Sequence, residues 1–265
     1  MKWLLVQLRT WLLAVSIVTA FPAAARGLDG IRERGQLDIG VTLFTPWAMI
    51  RNDGILTGFE AEVGAKVALD MGVTPAFHLY NWDKLIPALE SGEIDVIIAG
   101  MTITKERAQR VLFTIPYSET GIDIAINVQV TGAIERLDEL NKPGMRVGIV
   151  RHTLAAQVAR RELPRALRIP FFHSQTLLDA LADGKLDAYL GAEPGPRFAA
   201  ELHPAKIEIP LAASVLRTRQ GMAVHKDSFE LLALLNRWVK INRTQGWLYE
   251  VQDYWFGSLG WRKGE

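Results

Sequence analysis

"LIPALESGEIDVIIAG" at residues 85–100 and "LLDALADGKLDAYLGA" at residues 177–192 run in step, without a gap, at a constant offset of 92 positions. Leu85/Leu177, Ala88/Ala180, Leu89/Leu181, Gly92/Gly184 and Asp95/Asp187 are identical, and Ile94/Leu186 is conservative. Each copy reads as an amphipathic helix, a glycine stop, and then an apolar run typical of a strand buried on both faces. A unit that occurs twice implies two similar α/β lobes.

The flanking segments extend both units. "QLDIGVTL" (36–43) reads as a strand, and "GFEAEVGAKVALDMGV" (58–73) as a helix with Val63, Val67 and Met71 on one face. "TPAFHLYNW" (74–82) reads as the next strand. In the second half "MRVGIV" (145–150) opens the lobe, "HTLAAQVARREL" (152–163) is its first helix and "LRIPFFH" (167–173) its next strand. Strands alternating with helices predict mostly parallel sheets flanked by helices. "YSETGIDIAINVQ" (117–129) leads from the first lobe to the second, and "SVLRTRQGMAVHKD" (214–227) leads back. The apolar helix pattern after it, "FELLALLNRWVKINRTQGW" (229–247), needs a sheet to cover. The expected division is a discontinuous first lobe, 26–122 plus 218–265, and a second lobe, 123–217, with hinge crossings near 120–128 and 212–220. Two strands joining two lobes make a hinge, and a hinge with a cleft is suited to closing around a ligand.

The chain has 265 residues, 49% hydrophobic and 22% charged, which is the balance of an ordinary globular protein. Its start has a basic region with Lys2 and Arg9, a short apolar stretch over Thr10–Phe21, and Ala23-Ala24-Ala25. That is the layout of a secretory signal peptide over residues 1–25, and the apolar stretch is short for a membrane span. Its removal takes the formal charge from +1 to −1, because Lys2 and Arg9 leave with it. No basic patch interleaved with aromatics suggests nucleic acid. The absence of cysteine excludes disulfides, thiolate metal sites and a cysteine nucleophile. The five histidines are scattered without metal-ligand spacing, so no metal and no cofactor is expected.

Ligands of open parallel sheets sit beyond the carboxyl ends of the strands. "AGMTITKER" (99–107) occupies that place after the first apolar run. Gly100 allows close backbone approach, Thr102 offers a hydroxyl, and Thr104 can cap the start of a helix with Lys105 and Glu106 in its first turn. Arg107 can hold a carboxylate with two parallel bonds; as an ordinary surface residue it would sit in a first helical turn, where positive charge is mildly unfavourable.

"IIAGMTITKERAQRVLFTIPY" (97–117) closely resembles a signature of the periplasmic solute-binding proteins of family 3, the polar amino acid receptors of ABC importers. "DGILTGFEAEVGAKVA", "WDKLIPALESGEIDVIIAG", "LLDALADGKLDAYLG" and "TQGWLYEVQDYWFG" resemble further blocks of that family, in order along nearly the whole mature chain. The resemblance implies a two-lobed periplasmic-binding-protein fold of type II. It also implies a monomeric receptor for a small carboxylate that hands its ligand to an inner-membrane ABC permease. The family's carboxylate-clamping arginine falls on Arg107, and its small or hydroxylated helpers on Gly100 and Thr102. Its aromatic wall falls on Phe44 or Trp47, with Trp82 before the "D-K-L-I-P" segment.

The second lobe departs from the family pattern. Where a "G-T/S" turn is usual, the chain has Arg151, His152 and Thr153. Thr153 keeps the hydroxyl; Arg151 and His152 are either solvated or meet a polar ligand group. The aspartate that in the family pairs with a ligand ammonium falls on Ala192. Either Glu193 replaces it, or the ligand has no amine. A dehydratase-type enzyme working in the cleft would need an acid or base there, for which Glu60, His152 and Glu193 are the candidates. The remaining alternative is a sensory protein that signals to a separate partner without transport.

Overall fold

The computed structural model describes residues 27–257 and Trp261. The expected signal peptide lies outside them. In chain order the strands are β1 (Gln36–Val41), β2 (Met49–Ile50), β3 (Leu56–Thr57), β4 (Thr74–Leu79), β5 (Val96–Ile97), β6 (Leu112–Phe113), β7 (Ser118–Asn127), β8 (Arg146–Val150), β9 (Leu167–Phe171), β10 (Ala188–Ala192), β11 (Ile207–Glu208), β12 (Leu216–Gln220) and β13 (Ala223–Val224). One sheet has the order β4-β1-β5-β13-β6; the other has β11-β7-β10-β8-β9, with β12 also on β7. Strands β2 and β3 form a small hairpin of their own.

The two sheets repeat one plan. β1 pairs parallel with β4 and β5, while β8 pairs parallel with β9 and β10. A fourth strand closes each triple in antiparallel sense: β13 on β5, and β7 on β10. The repeated sequence explains the likeness atom by atom. Gly92 and Gly184 end their helices at φ 79° and 71°, a left-handed conformation that glycine adopts without strain. Asp95 accepts the backbone N–H of Asp38 at 2.9 Å, and Asp187 accepts that of Arg146 at 2.6 Å. Each carboxylate also takes an arginine, Arg34 and Arg146 respectively. Ile94 and Leu85 press so closely on Gly40 that a Cβ there would stand 2.3 and 3.2 Å from them. Leu186 and Leu177 crowd Gly148 in the same way, at 2.5 and 3.1 Å. The apolar pairs of the repeat therefore lie on the glycine of the first strand in both lobes.

The chain passes between the sheets on β7 and β12, which pair antiparallel from Leu216↔Ile122 to Gln220↔Ser118. Buried polar side chains tie them together: Gln220 Nε2 donates to the hydroxyls of Thr120 and Thr218 at 3.0 and 2.8 Å. After the crossings, helix Phe229–Thr244 buries Leu231, Leu235, Trp238 and Val239. The second helix of the C-terminal segment, Trp247–Gln252, reaches the hinge through Gln252, bonded to Ser118 and to the carbonyl of Glu119. No helix of the described residues is long and apolar enough to cross a membrane.

Gly58 fixes the segment that follows β1. The helix Phe59–Met71 begins by donating from Phe59 and Glu60 to the carbonyls of Pro46 and Trp47, at 3.2 and 2.8 Å. Gly58 allows that approach at φ 118°; a Cβ there would stand 2.6 Å from the Trp47 oxygen and 2.9 Å from the Pro46 oxygen. Backbone atoms cannot step aside as a side-chain tip can. Gly58→Ala is expected to cost on the order of 3 kcal/mol, combining positive-φ strain with overpacking. Urea unfolding of the two proteins checks it, and an unchanged midpoint refutes it.

Candidate functional site

A cleft with about 700 Å³ of empty space, its mouth included, lies where the carboxyl ends of both sheets face each other. From the first sheet it is lined by Thr42, Leu43, Phe44 and Trp47 after β1, Trp82 after β4, and Ala99, Gly100, Thr102 and Arg107 after β5. Ile122 of β7 and the ends of β8, β9 and β10 line the other side. This is the placement that parallel topology dictates.

The loop after β5 is built to present Arg107. Val96, Ile97 and Ile98 are fully buried, so the chain can leave the sheet only at its end. Gly100 takes φ 62°, and a Cβ on it would stand 2.8 Å from the Trp47 ring. Beyond it, Ile103 N–H donates to the Arg219 carbonyl at 2.9 Å and Gly221 N–H to the Met101 carbonyl at 3.1 Å. The loop is thus tied to the returning hinge strand. Thr104 caps the turn Lys105–Ala108 by accepting the Arg107 N–H at 3.2 Å. That helix is a single turn of four residues, shorter than the expected helix start. Arg107 donates from Nη1 to the Thr102 carbonyl at 2.9 Å, and its guanidinium lies 5.3 Å from the centre of the Trp82 ring. It forms no ion pair with any described residue. Burial lowers its pKa, and Glu106 offsets part of that. Burial penalises the charged form.

The aromatic lining is anchored in the core through Trp47. Trp47 is 2% exposed, edge-on to Phe59 at 5.8 Å and against Phe256 at 4.5 Å. Two indole N–H groups cross the cleft: Trp47 Nε1 donates to the Glu193 carbonyl at 2.9 Å, and Trp82 Nε1 to the His152 carbonyl at 3.1 Å. The two lobes are therefore in direct contact on either flank of the cavity.

Of the residues singled out in the sequence, Phe44, Trp47, Trp82, Gly100, Thr102, Arg107 and Thr153 come together in the cleft wall. Arg151, His152 and Glu193 are not in its lining. Thr153 caps helix Leu154–Glu162 by accepting the Ala156 N–H at 3.2 Å, and its own proton goes to the Val150 carbonyl at 2.8 Å. His152 holds φ 60°, a conformation that favours glycine. Its imidazole is exposed, and its contribution to the cleft is the carbonyl under Trp82. The Arg151 guanidinium lies 4.4 Å from the centre of the Phe172 ring. Glu193 turns its carboxylate to the Ser214 hydroxyl at 2.5 Å, in the space left by the missing side chain of Gly121.

Ala192 lines the cleft, so the position expected to carry an acid contributes a methyl group. Glu60 lies behind the cleft wall with no exposed surface, both carboxyl oxygens 2.8 Å from the Tyr117 hydroxyl. Sequence reasoning missed Phe172 and Tyr189, which also line the cavity. Tyr189 could have been found: it shares a strand face with Gly191, whose missing side chain leaves room for the ring. A Cβ on Gly191 would lie 2.2 Å from the Tyr189 hydroxyl.

The model of the bacterial extracellular solute-binding proteins, family 3, matches residues 37–258. The L-cystine-binding protein TcyJ of Escherichia coli (strain K12) is 29% identical over 235 residues, covering 87% of this chain and 86% of that protein. Among solved structures, the ancestral amino acid-binding protein AncCDT-1, a precursor of cyclohexadienyl dehydratase, superposes with a TM-score of 0.80 at 30% identity, covering 86% of this chain and 98% of that one. A binding component of an ABC transporter from Wolinella succinogenes, complexed with lysine, gives 0.81 at 26% identity, covering 87% and 99%.

Proposed function

We propose, since this chain belongs to the bacterial extracellular solute-binding proteins of family 3, that it is the exported receptor of an ABC importer and binds a small carboxylate between its lobes. The observation that carries the ligand class is Arg107, a cation largely withdrawn from water at the cleft wall and without a carboxylate partner. Such a charge is costly to bury alone, and a ligand carboxylate supplies its counter-ion through two parallel hydrogen bonds. Thr102 and the backbone at Gly100 hold the same group, and Phe44, Trp47 and Trp82 pack the ligand body. The monomer closes over it, the first lobe being 26–122 with 218–265 and the second 123–217. Contacts to both lobes stabilise the closed arrangement by as much as the ligand prefers it to the open one. The permease then reads the closed form.

The composition of the cleft lining supports a binding role over catalysis. The lining holds no carboxylate and no imidazole, the commonest general acids and bases. AncCDT-1, described as an amino acid-binding protein and as a precursor of an enzyme, indicates that this fold serves both purposes. The distinction rests on side chains.

Thermal melts of the purified protein with small carboxylates test the reading. A ligand present at 100 times its dissociation constant adds about 2.7 kcal/mol to stability, a clear shift in Tm. Carboxylates should raise the Tm, and their uncharged amides should not. Equal shifts from an acid and its amide would remove Arg107 from the account.

A further inference from the structure

One buried polar group of the cleft has no hydrogen-bond partner. Tyr189 is fully buried, and its hydroxyl has no hydrogen-bond partner. Its ring runs along β10 over Gly191 toward the cavity. A Cβ placed on Gly195 would lie 2.8 Å from the hydroxyl oxygen and 3.3 Å from the Phe44 ring, so the hydroxyl ends beside the aromatic wall. A buried hydroxyl that makes no bond is costly, and buried polar groups in native proteins are nearly always satisfied. The cleft thus offers one cation and, at Tyr189, one fully buried hydroxyl that no described protein group satisfies.

What the cleft lacks is equally definite. No aspartate or glutamate lines it. Glu193, the nearest in sequence to the end of β10, gives its carboxylate to Ser214. Glu60 stands behind Gly100, and burial raises its pKa to about 8, so it is predominantly protonated at neutral pH. An α-amino acid would bring an ammonium into this space beside Arg107. Its carboxylate would neutralise the arginine and leave the ammonium with no opposing charge, in surroundings that penalise a lone ion.

We infer that the ligand is an amine-free carboxylate with an apolar body and one further oxygen, a 2-oxo or 2-hydroxy acid, whose carboxylate pairs with Arg107 and whose second oxygen bonds to the Tyr189 hydroxyl. This rests on the carboxylate reading above and narrows it. It also gives Tyr189 a role in specificity, since a phenol can donate to a carbonyl or exchange bonds with a hydroxyl. The cystine and lysine named for relatives both carry ammonium groups, for which this cleft has no counter-charge.

Titration calorimetry with four matched compounds decides it: phenylalanine, phenylpyruvate, phenyllactate and 3-phenylpropanoate, repeated with the leucine series. The oxo and hydroxy acids should bind about 100-fold or more tighter than the amino acid. Tyr189→Phe should weaken them by about tenfold and leave the plain acid unchanged, since only the former use the hydroxyl. Ala192→Asp, with folding first confirmed by its melt, should move the preference to the amino acid. An amino acid bound at least as tightly as its oxo acid, with binding lost in Arg107→Ala, overturns this inference and leaves the carboxylate reading standing. A Tyr189→Phe effect equal for all acids also overturns it. A flat response to every compound, in wild type and Arg107→Ala alike, overturns both.

Discussion

Arg107→Ala is expected to weaken carboxylate binding by on the order of 100- to 1,000-fold, because truncating one partner of a buried charge pair costs roughly 2–5 kcal/mol. The loss has two sources. The bidentate bonds disappear, and the ligand carboxylate is left desolvated among tryptophan and phenylalanine rings. Arg107→Lys should recover only part, because an ammonium keeps the charge but not the planar fork, nor its fit to the Trp82 ring at 5.3 Å. The fold should tolerate both changes. The guanidinium makes one hydrogen bond, to the Thr102 carbonyl, and the loop is held independently by the Thr104 cap and by the pairing of Ile103 and Gly221 with the hinge strand and the loop itself. Calorimetry with the tightest carboxylate, beside a melt of each ligand-free variant, separates the two effects. Unchanged affinity in Arg107→Ala would sink the assignment.

The legible parts of the site were those fixed by backbone topology. An apolar run that must end at the sheet's edge, a glycine and an arginine seven residues later place Arg107 at the cleft without any knowledge of packing. The internal repeat carried the fold in the same manner: Leu85 and Leu177, Ile94 and Leu186 each seek a strand glycine, and the sheets form around those contacts. The features that stayed hidden depend on which way a side chain turns. Glu193 stands one residue past the acid position, and sequence could not say that Gly121 and Ser214 would draw its carboxylate away from the cleft. His152 stands in the glycine position of a turn, and the turn is kept at φ 60° with the ring in solvent. Tyr189 lies in a run that reads simply as buried strand, and its unpaired hydroxyl is visible only when partners are counted in three dimensions.

Glu60→Gln is expected to flatten the pH dependence of stability and to make the protein more stable than wild type near pH 8. Glu60 lies in the first turn of helix Phe59–Met71, with no exposed surface. Burial drives its pKa from the ordinary 4.5 up to about 8, against the opposing pull of the Tyr117 hydroxyl. Gly100 N–H donates to that same hydroxyl at 3.2 Å, so the group underpins the loop that carries Arg107. Between about pH 4.5 and about pH 8 the folded protein keeps a proton that the unfolded chain releases. The native state then binds more protons, and stability falls as pH rises, by up to ~1.4 kcal/mol for each pH unit. The contribution is complete below the unfolded value and gone above the folded one. Glutamine is neutral throughout and nearly isosteric, and its carbonyl can still accept from Tyr117, so the variant should lack this decline while other titrating groups remain common to both proteins. Urea midpoints at pH 5 and pH 8 give the difference directly. Wild type should lose several kcal/mol more than the variant between the two; parallel curves would mean that the buried carboxyl is ionised in the folded protein and is held by bonds stronger than those to Tyr117.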